Sequence, residues 1–265
     1  MTAAASTPFL HEVRGRWGKR SRLAVFSRRT AWFAALLFVI SALGHRFGYL
    51  ETPAFLAVIA IVAALAVLAL LLGTVALVRI WNSGDRGGSD ALKAALISAI
   101  VLLPFAGSAA RAFTFPALSD ISTDTDAPPT LSDEDPGDPF PPEQRELQAA
   151  SYPKIAGRRY PIPLERAIQA VQTLFQENGW EPAQPLVGPG EATLRATAFT
   201  QILGFPSDVA VRIADEGESS FVDMRSRSRF GDHDLGDNAA RIDAFLAALD
   251  QATAIRAGAQ GEAVD

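Results

Sequence analysis

The feature that most constrains the fold is a run of 25 uncharged residues from Ala54 to Val78, dominated by Ala, Leu, Val and Ile. At a rise of about 1.5 Å per residue, a helix of this length exceeds the roughly 30 Å hydrocarbon core of a bilayer. A soluble helix of the same length would show a polar face, and this segment shows none. The run therefore predicts a membrane-spanning helix.

Two weaker candidates flank this run. A 17-residue apolar stretch lies between Lys93 and Arg111, with Pro104 predicting a kink. The stretch from residue 30 to 44 is shorter and reaches an adequate length only by continuing to residue 50. Its alternative, a cleaved signal peptide, fits poorly because the basic region is long and no small-x-small cleavage site precedes a polar start. We predict a membrane domain over 30–116, with spans at about 30–50, 53–80 and 92–115.

The basic residues near the spans predict their orientation, because cytoplasmic loops are enriched in Lys and Arg. They are Arg14, Arg16, Lys19, Arg20, Arg22, Arg28 and Arg29 before the first span and Arg79, Arg86 and Lys93 in the second loop, against Arg46 alone in the first loop. This bias predicts a cytoplasmic N-terminus (1–29) and a C-terminal part in the periplasm, hence a multi-pass protein of the bacterial inner membrane in contact with the lipid bilayer. The central parts of the spans carry no charged residue, which argues against transport.

Acidic residues and prolines dominate the segment that follows the last span. Nine acidic side chains lie between residues 119 and 146 against one basic side chain, together with six prolines. Such a composition buries little apolar surface and favours extended chain. We predict that residues 117–149 form an acidic, proline-rich linker. The alternative is a calcium-binding or partner-binding tract.

The remaining part of the chain predicts a small α+β domain over 150–256, followed by a disordered tail over 257–265. Apolar residues at helical spacing follow Pro163 up to Asn178-Gly179, and a second helix is expected from about Asp237 to Ala252. Between them, 191–200, 207–214 and 221–229 alternate as strands. The fold class is thus three transmembrane helices plus a two-layer domain, an antiparallel sheet of three or four strands covered by two helices.

The third of these strands carries the first candidate site. Its period of two places Arg225, Arg227 and Arg229 on one face with Asp223. Three guanidinium groups on one face could bind an anionic ligand. The alternative is a solvated face whose arginines pair with Asp208 or Glu191 of neighbouring strands.

The second candidate site is the polar stretch from Gly231 to Arg241. Helix capping by Asp234, with Arg229 or Arg241 paired to it, accounts for most of these residues, and Asn238 adds an amide. The alternatives are a hydrolase triad of Ser226 or Ser228 with His233 and Asp234, and a calcium loop of Asp232, Asp234 and Asp243. The triad lacks a Gly-x-Ser-x-Gly elbow, and the glycine and twelfth position of the loop do not fit.

Several chemistries have no support in the sequence. The chain has no cysteine, so disulfides and thiolate sites are excluded, and one histidine in the domain does not make a zinc site. Neither a Gly-x-Gly-x-x-Gly nor a P-loop motif is present, and a net acidic domain disfavours nucleic acid. We therefore expect no metal, cofactor, nucleotide or nucleic acid.

The leading hypothesis is a binding or interaction module that meets an envelope protein or an anionic ligand. The alternative is a hydrolase-like envelope enzyme using Arg229, Asp234, Asn238 and Arg241, and the sequence gives it less support because no catalytic set is recognisable.

Three stretches carry a resemblance to a known family: ISTDTDAPP, GFPSDVAVRI and DMRSRSRFGDHDLGDNAARIDAFL. They resemble the bacterial membrane-bound proteins of the domain-of-unknown-function family numbered 1499, over roughly residues 117–250. The family pattern corresponds here to Asp208, Arg225, Ser226, Ser228, Arg229, Gly231, Asp234, Leu235, Gly236, Asn238 and Arg241. The resemblance implies an envelope-located module after hydrophobic spans and no established activity; it also implies that position 233 is variable.

Overall fold

The computed structural model of the protein describes residues 19–261, with side chains up to residue 254. These residues form two compact units divided after Ala106. The first unit contains most of three helices, α1 (Arg22–Arg46), α2 (Thr52–Ser83) and α3 (Gly88–Thr114). All three are long and apolar enough to cross a membrane, as the sequence predicts.

Helix α1 lies earlier in the chain than the predicted first span. It begins at Arg22 because the Ser21 hydroxyl accepts a hydrogen bond from the Ala24 N–H group. It ends at Arg46, and the chain then turns through Gly48 at a positive φ of 75°, so the expected continuation to residue 50 is wrong. Of the predicted basic N-terminus, Arg14 and Arg16 lie outside the described residues.

Small residues pack the helices of the first unit in layers, with one alanine from each helix in two of the layers. The layers are Ala24, Ala76 and Ala91, then Ala31, Ala69 and Ala94, then Ala34, Val62, Ala66 and Val101. At Gly73 an added Cβ would lie 3.4 Å from the Ala91 carbonyl oxygen. Small side chains allow helix backbones to approach closely. Such packing is typical of helices that associate in lipid, where the hydrophobic effect does not drive them together.

The second unit is an antiparallel sheet with three further helices. Its elements are β1 (Asp120–Ser122), α4 (Pro142–Ser151), β2 (Arg158–Tyr160), α5 (Leu164–Glu177), β3 (Glu181–Pro182), β4 (Leu186–Gly188), β5 (Glu191–Phe199), β6 (Pro206–Asp215), β7 (Ser220–Ser228) and α6 (Asp237–Gly261). The order is β1-β7-β6-β5-β3, while β2 also pairs with β7 and β4 with β5. The α+β class is confirmed. Seven strands replace the expected three or four because β1 to β4 are too short to show an alternating pattern.

Helices α5 and α6 cover one face of this sheet and form the main core with it. The core contains Val171 and Phe175 of α5 and Ile242, Phe245 and Leu246 of α6, packed on apolar residues of the strands. Phe245 is also in ring contact with Trp180, at a centroid distance of 5.3 Å. The register aligns Leu194 of β5, Val211 of β6 and Met224 of β7, and these three side chains belong to the core that the helices cover.

The predicted linker is part of the folded domain, and the prediction of an extended tether over 117–149 is therefore wrong. Its start forms β1, which pairs with β7, and its end forms α4. Leu118 and Ile121 belong to the main core, and Leu131 and Phe140 are buried. The segment is indeed poor in apolar residues. It is ordered because it pairs with β7 and contributes its few apolar side chains to the core of the domain.

The C-terminal helix also differs from its prediction. Helix α6 extends past the expected end at Ala252 to Gly261, so the beginning of the predicted disordered tail is helical. Residues 262–265 of that tail lie outside the described residues.

Candidate functional site

Arginines from the three long strands lie on the sheet face opposite the helices. The register aligns Arg195 of β5 with Ala210 of β6 and Ala210 with Arg225 of β7, so these residues share a face. Arg212 lies two residues beyond Ala210 and therefore on the same face. The acidic segment from residue 123 to 141, called here the acidic cover, contacts all three guanidinium groups.

Arg225 is the most enclosed of these arginines. Its guanidinium group donates hydrogen bonds to both carboxylate oxygens of Asp120, at 3.0 and 2.8 Å, and to Asp135 at 2.9 Å. It also lies over the ring of Phe140, 5.2 Å from the centroid. Burial lowers the pKa of Arg225, but the two carboxylates outweigh burial and raise it. The side chain is only 6% exposed, so it is not available to an external ligand.

Arg212 and Arg195 bind the acidic cover in the same manner. Arg212 donates to Asp124 and to Asp223, each at 2.8 Å. Arg195 donates to Asp133 at 2.6 Å and to the carbonyl oxygen of Thr130 at 3.1 Å. The charge that would attract an external anion to this face is thus neutralised within the chain.

The carboxylates of the acidic cover are also engaged in local turns. Asp124 accepts hydrogen bonds from the N–H groups of Asp126 and Ala127, and Asp135 accepts them from Leu131 and Gly137. Burial raises the pKa of both carboxyl groups, but these backbone bonds and the nearby arginines outweigh burial and hold the pKa values below 3.8. Turn formation and ion pairs account for these acids without the calcium-binding alternative.

The other two arginines of the predicted anion site lie near the end of the central strand β7, on the same face. Arg229 pairs with Asp208 at 2.7 Å and donates to the Thr197 hydroxyl at 2.8 Å. The predicted pairing with Asp208 is therefore confirmed for Arg229. Arg227 is half-buried, and the register places it between Asp120 of β1 and Asp208 of β6.

Asp234, Asn238 and Arg241 lie on the opposite, helix-covered side. The two carboxylate oxygens of Asp234 accept the N–H groups of Gly236 and Asn238, each at 2.8 Å. These bonds fix the start of α6 and hold Leu235 at a positive φ of 59°, which is costly for a non-glycine residue. Capping by Asp234 is confirmed, but its predicted ion pair with Arg229 or Arg241 is wrong because both oxygens face backbone donors.

Asn238 has a joining role that the sequence does not reveal. It is fully buried, and its Oδ1 accepts from the Ser226 hydroxyl at 2.8 Å. Its Nδ2 donates to the carbonyl oxygen of Ser119 at 2.9 Å and to the Ser228 hydroxyl at 3.1 Å. One amide thus links α6, β7 and the chain that enters β1.

Arg241 completes this group, called here the Arg241 cluster (Ser226, Asn238 and Arg241). Its Nη1 donates to Ser226 Oγ at 2.8 Å and to Asn238 Oδ1 at 2.6 Å. Among the described residues, no carboxylate lies within ion-pairing distance of this guanidinium group, and its other nitrogens have no hydrogen-bond partner. Burial lowers the pKa of Arg241, although Asp237 and Asp234 act in the opposite sense.

The residues of the hydrolase alternative do not converge. His233 uses one ring nitrogen to accept the Leu235 N–H at 3.0 Å and the other to contact the Ala112 carbonyl oxygen at 3.2 Å. Ser226 is engaged with the Arg241 cluster, and Arg229 lies on the other face of the sheet. No serine–histidine pair forms among the described residues, so the hydrolase reading loses its geometric basis.

Arg111 also contacts the start of α6, although the sequence identifies it only as the residue that ends the third apolar stretch. It donates to the Leu235 carbonyl oxygen at 2.7 Å and to Asp237 at 2.7 Å, and it lies over the ring of Phe115. Phe115 packs so closely on Gly236 that a Cβ there would lie 2.6 Å from its ring. The last turn of α3, which belongs to the second unit, is thus bound to the start of α6.

Three candidate membrane-spanning helices followed by an antiparallel α+β domain define a class of protein: apolar helices that carry a small folded module. The family model described as "Protein of unknown function (DUF1499)" matches residues 120–249. Residues 120–249 therefore form a DUF1499 domain. The match begins at the first residue of β1, so the family domain includes the acidic cover. A search of curated proteins finds no match.

Proposed function

We propose that the protein is a multi-pass protein of the bacterial inner membrane that displays its α+β domain in the periplasm as a binding module for an anionic group. The placement is supported by the ten basic residues near the cytoplasmic ends of the spans against one in the first loop. The anionic group is a carboxylate or phosphate of an envelope partner or a small ligand.

The Arg241 cluster is the observation that carries the binding proposal. A partly buried cation loses hydration, and a protein normally compensates with a carboxylate in direct contact. Arg225 and Arg212 receive such partners, whereas Arg241 receives only the neutral oxygens of Ser226 and Asn238. An external anion would supply the missing charge, and the unpaired guanidinium nitrogens match the geometry of a carboxylate or phosphate.

Reporter fusions test the placement. Alkaline phosphatase and a fluorescent protein that matures only in the cytoplasm are fused in parallel to the C-terminus of the full chain. We expect phosphatase activity and no fluorescence from these fusions. Fluorescence without phosphatase activity would refute the periplasmic placement.

Thermal unfolding tests the anion site. The full chain in nanodiscs is heated with increasing inorganic phosphate or acetate, with sodium chloride at matched ionic strength as reference. Because a ligand that binds only the folded state stabilises it, we expect one of the anions to raise the unfolding temperature of the wild type. Arg241→Met should abolish this rise, whereas the control Arg229→Met, which removes an exposed arginine, should retain it. Equal responses of all three proteins would refute the proposal.

A further inference from the structure

The loop between β5 and β6 presents an exposed apolar side chain at its apex. Ile202 is 85% exposed, and no residue from 200 to 206 carries a charge. The loop is held tightly, because the Thr200 N–H donates to the Phe205 carbonyl oxygen and the Gly204 N–H to the Thr200 carbonyl oxygen. Phe230, just after β7, adds a second exposed apolar side chain. Ile202 and Phe230 are called here the apolar tip.

Both residues of the apolar tip lie at one end of the sheet. The register pairs Phe199 at the end of β5 with Pro206 at the start of β6, and Ser207 with Ser228 at the end of β7. The loop that carries Ile202 and the segment that carries Phe230 therefore leave the sheet on the same side.

The chain also enters the domain at this end. The carbonyl oxygen of Ser119 accepts the Ser228 N–H at 2.8 Å, and that of Leu118 accepts the Asp234 N–H at 2.9 Å. Helix α3, a candidate span, ends at Thr114, so only residues 115–119 separate it from β1. Five residues reach at most about 18 Å even when fully extended. The chain therefore enters the sheet, at the end that bears the apolar tip, within the reach of these five residues from the end of α3.

Isolated exposed apolar residues are common on protein surfaces and need no explanation. The apolar tip differs because it combines an uncharged loop, a hydrogen-bonded turn and a short connection to a candidate span. Apolar and aromatic side chains at this level partition into the boundary between headgroups and acyl chains. We propose that the apolar tip inserts Ile202 and Phe230 into the lipid interface next to the last span and thereby holds the domain against the bilayer. This proposal is independent of the Arg241 cluster and of which side of the membrane the domain faces.

The absence of cysteine allows a direct test in the full chain. Ile202→Cys is labelled with an environment-sensitive nitrobenzoxadiazole dye, and the protein is reconstituted into phosphatidylcholine–phosphatidylglycerol vesicles. Val187→Cys is the matched control, because Val187 is 72% exposed and pairs with Ala192 near the opposite end of β5. The seven-residue separation of Ala192 and Phe199 along the strand corresponds to about 23 Å.

Quenching by a lipid with a spin label near the top of its acyl chain reports contact with the bilayer. We expect severalfold stronger quenching at position 202 than at position 187, together with a blue-shifted emission at position 202. Equal, weak quenching at the two positions would overturn the proposal. A blue shift at position 202 without lipid quenching would also overturn it, because it would indicate that another protein surface covers the tip.

Discussion

Removal of the Arg225 guanidinium group is the sharpest test of how the acidic cover is held to the sheet. In the variant Arg225→Met the aliphatic packing is largely retained, but Asp120 and Asp135 lose their cation while remaining 16% and 11% exposed. Breaking a buried ion pair by removing one partner costs about 3–5 kcal/mol, because a buried charge is left uncompensated. A domain of ordinary stability, about 5–15 kcal/mol, would lose a large share of it.

The control is Arg229→Met, which removes an arginine of the same strand whose side chain is 44% exposed. Its ion pair with Asp208 lies at the exposed end of strands β6 and β7, and exposed pairs contribute only about 0–1 kcal/mol. A triple variant with Arg225→Met, Asp120→Asn and Asp135→Asn should recover much of the lost stability, since it removes the uncompensated charges as well.

Urea unfolding of the full chain in detergent measures these differences. Trp180 packs against Phe175 and Phe245 in the core, so its fluorescence reports unfolding of the second unit once the chain's other three tryptophans are replaced by phenylalanine. Limited proteolysis of the acidic cover gives a second readout, because its release exposes residues 123–141. If Arg225→Met is no less stable than Arg229→Met and the cover stays protected, the ion pairs of Arg225 do not hold the cover.

Three further predictions concern the same domain. Gly157→Ala should cost about 1–3 kcal/mol in urea unfolding, because its Cβ would lie 2.5 Å from a buried carboxylate oxygen; the control Gly188→Ala, with its nearest atom at 3.9 Å, should cost clearly less. Asp234→Ala should cost about 1–2 kcal/mol through loss of the helix cap, and Asp234→Asn should cost less; equal losses would contradict capping. The lowered pKa values of Asp124 and Asp135 mean that the folded state binds fewer protons than the unfolded state, so stability should be constant near neutral pH and fall below about pH 4. An acid transition unchanged in the double Asn variant would contradict this assignment.

The sequence predicts those parts of the fold whose signal is local. The uncharged run at Ala54–Val78 and the helical spacing after Pro163 each lie within one element, and the structure confirms α2 and α5 there. The ends of the three long strands likewise agree with the predicted ends to within one residue. In α5 and the long strands the buried side chains recur at the period of their own backbone, whereas in α2 the signal is the uninterrupted apolar run itself.

The sequence could not predict the acidic cover, because its partners are distant in the chain. Asp135 lies 90 residues from Arg225, and Asp124 lies 88 residues from Arg212. The local composition of the acidic cover consists largely of prolines and carboxylates that repel one another. This composition correctly indicates that the segment cannot fold alone. The arginines that neutralise the acidic cover lie at alternate positions of the strands. Considered without the cover, these positions predict an exposed, cationic face.

The linker prediction and the interpretation of the arginine face as an anion site differ from the structure for the same physical reason. The sequence shows an acidic segment and an arginine-bearing sheet face far apart in the chain. It predicts the first as a linker and the second as an anion site or as a solvated face paired with Asp208 or Glu191. In the structure the acidic segment and the arginine-bearing face are complementary surfaces of one domain. Strand β1, which precedes the acidic cover, pairs with β7 and so places the cover on this face. The candidate for external binding therefore moves from the arginines of the third strand to Arg241, which the sequence places in the polar stretch from Gly231 and which lacks a carboxylate partner among the described residues. An arginine whose guanidinium group has no carboxylate in direct contact is a better candidate for external binding than arginines that are already paired within the domain.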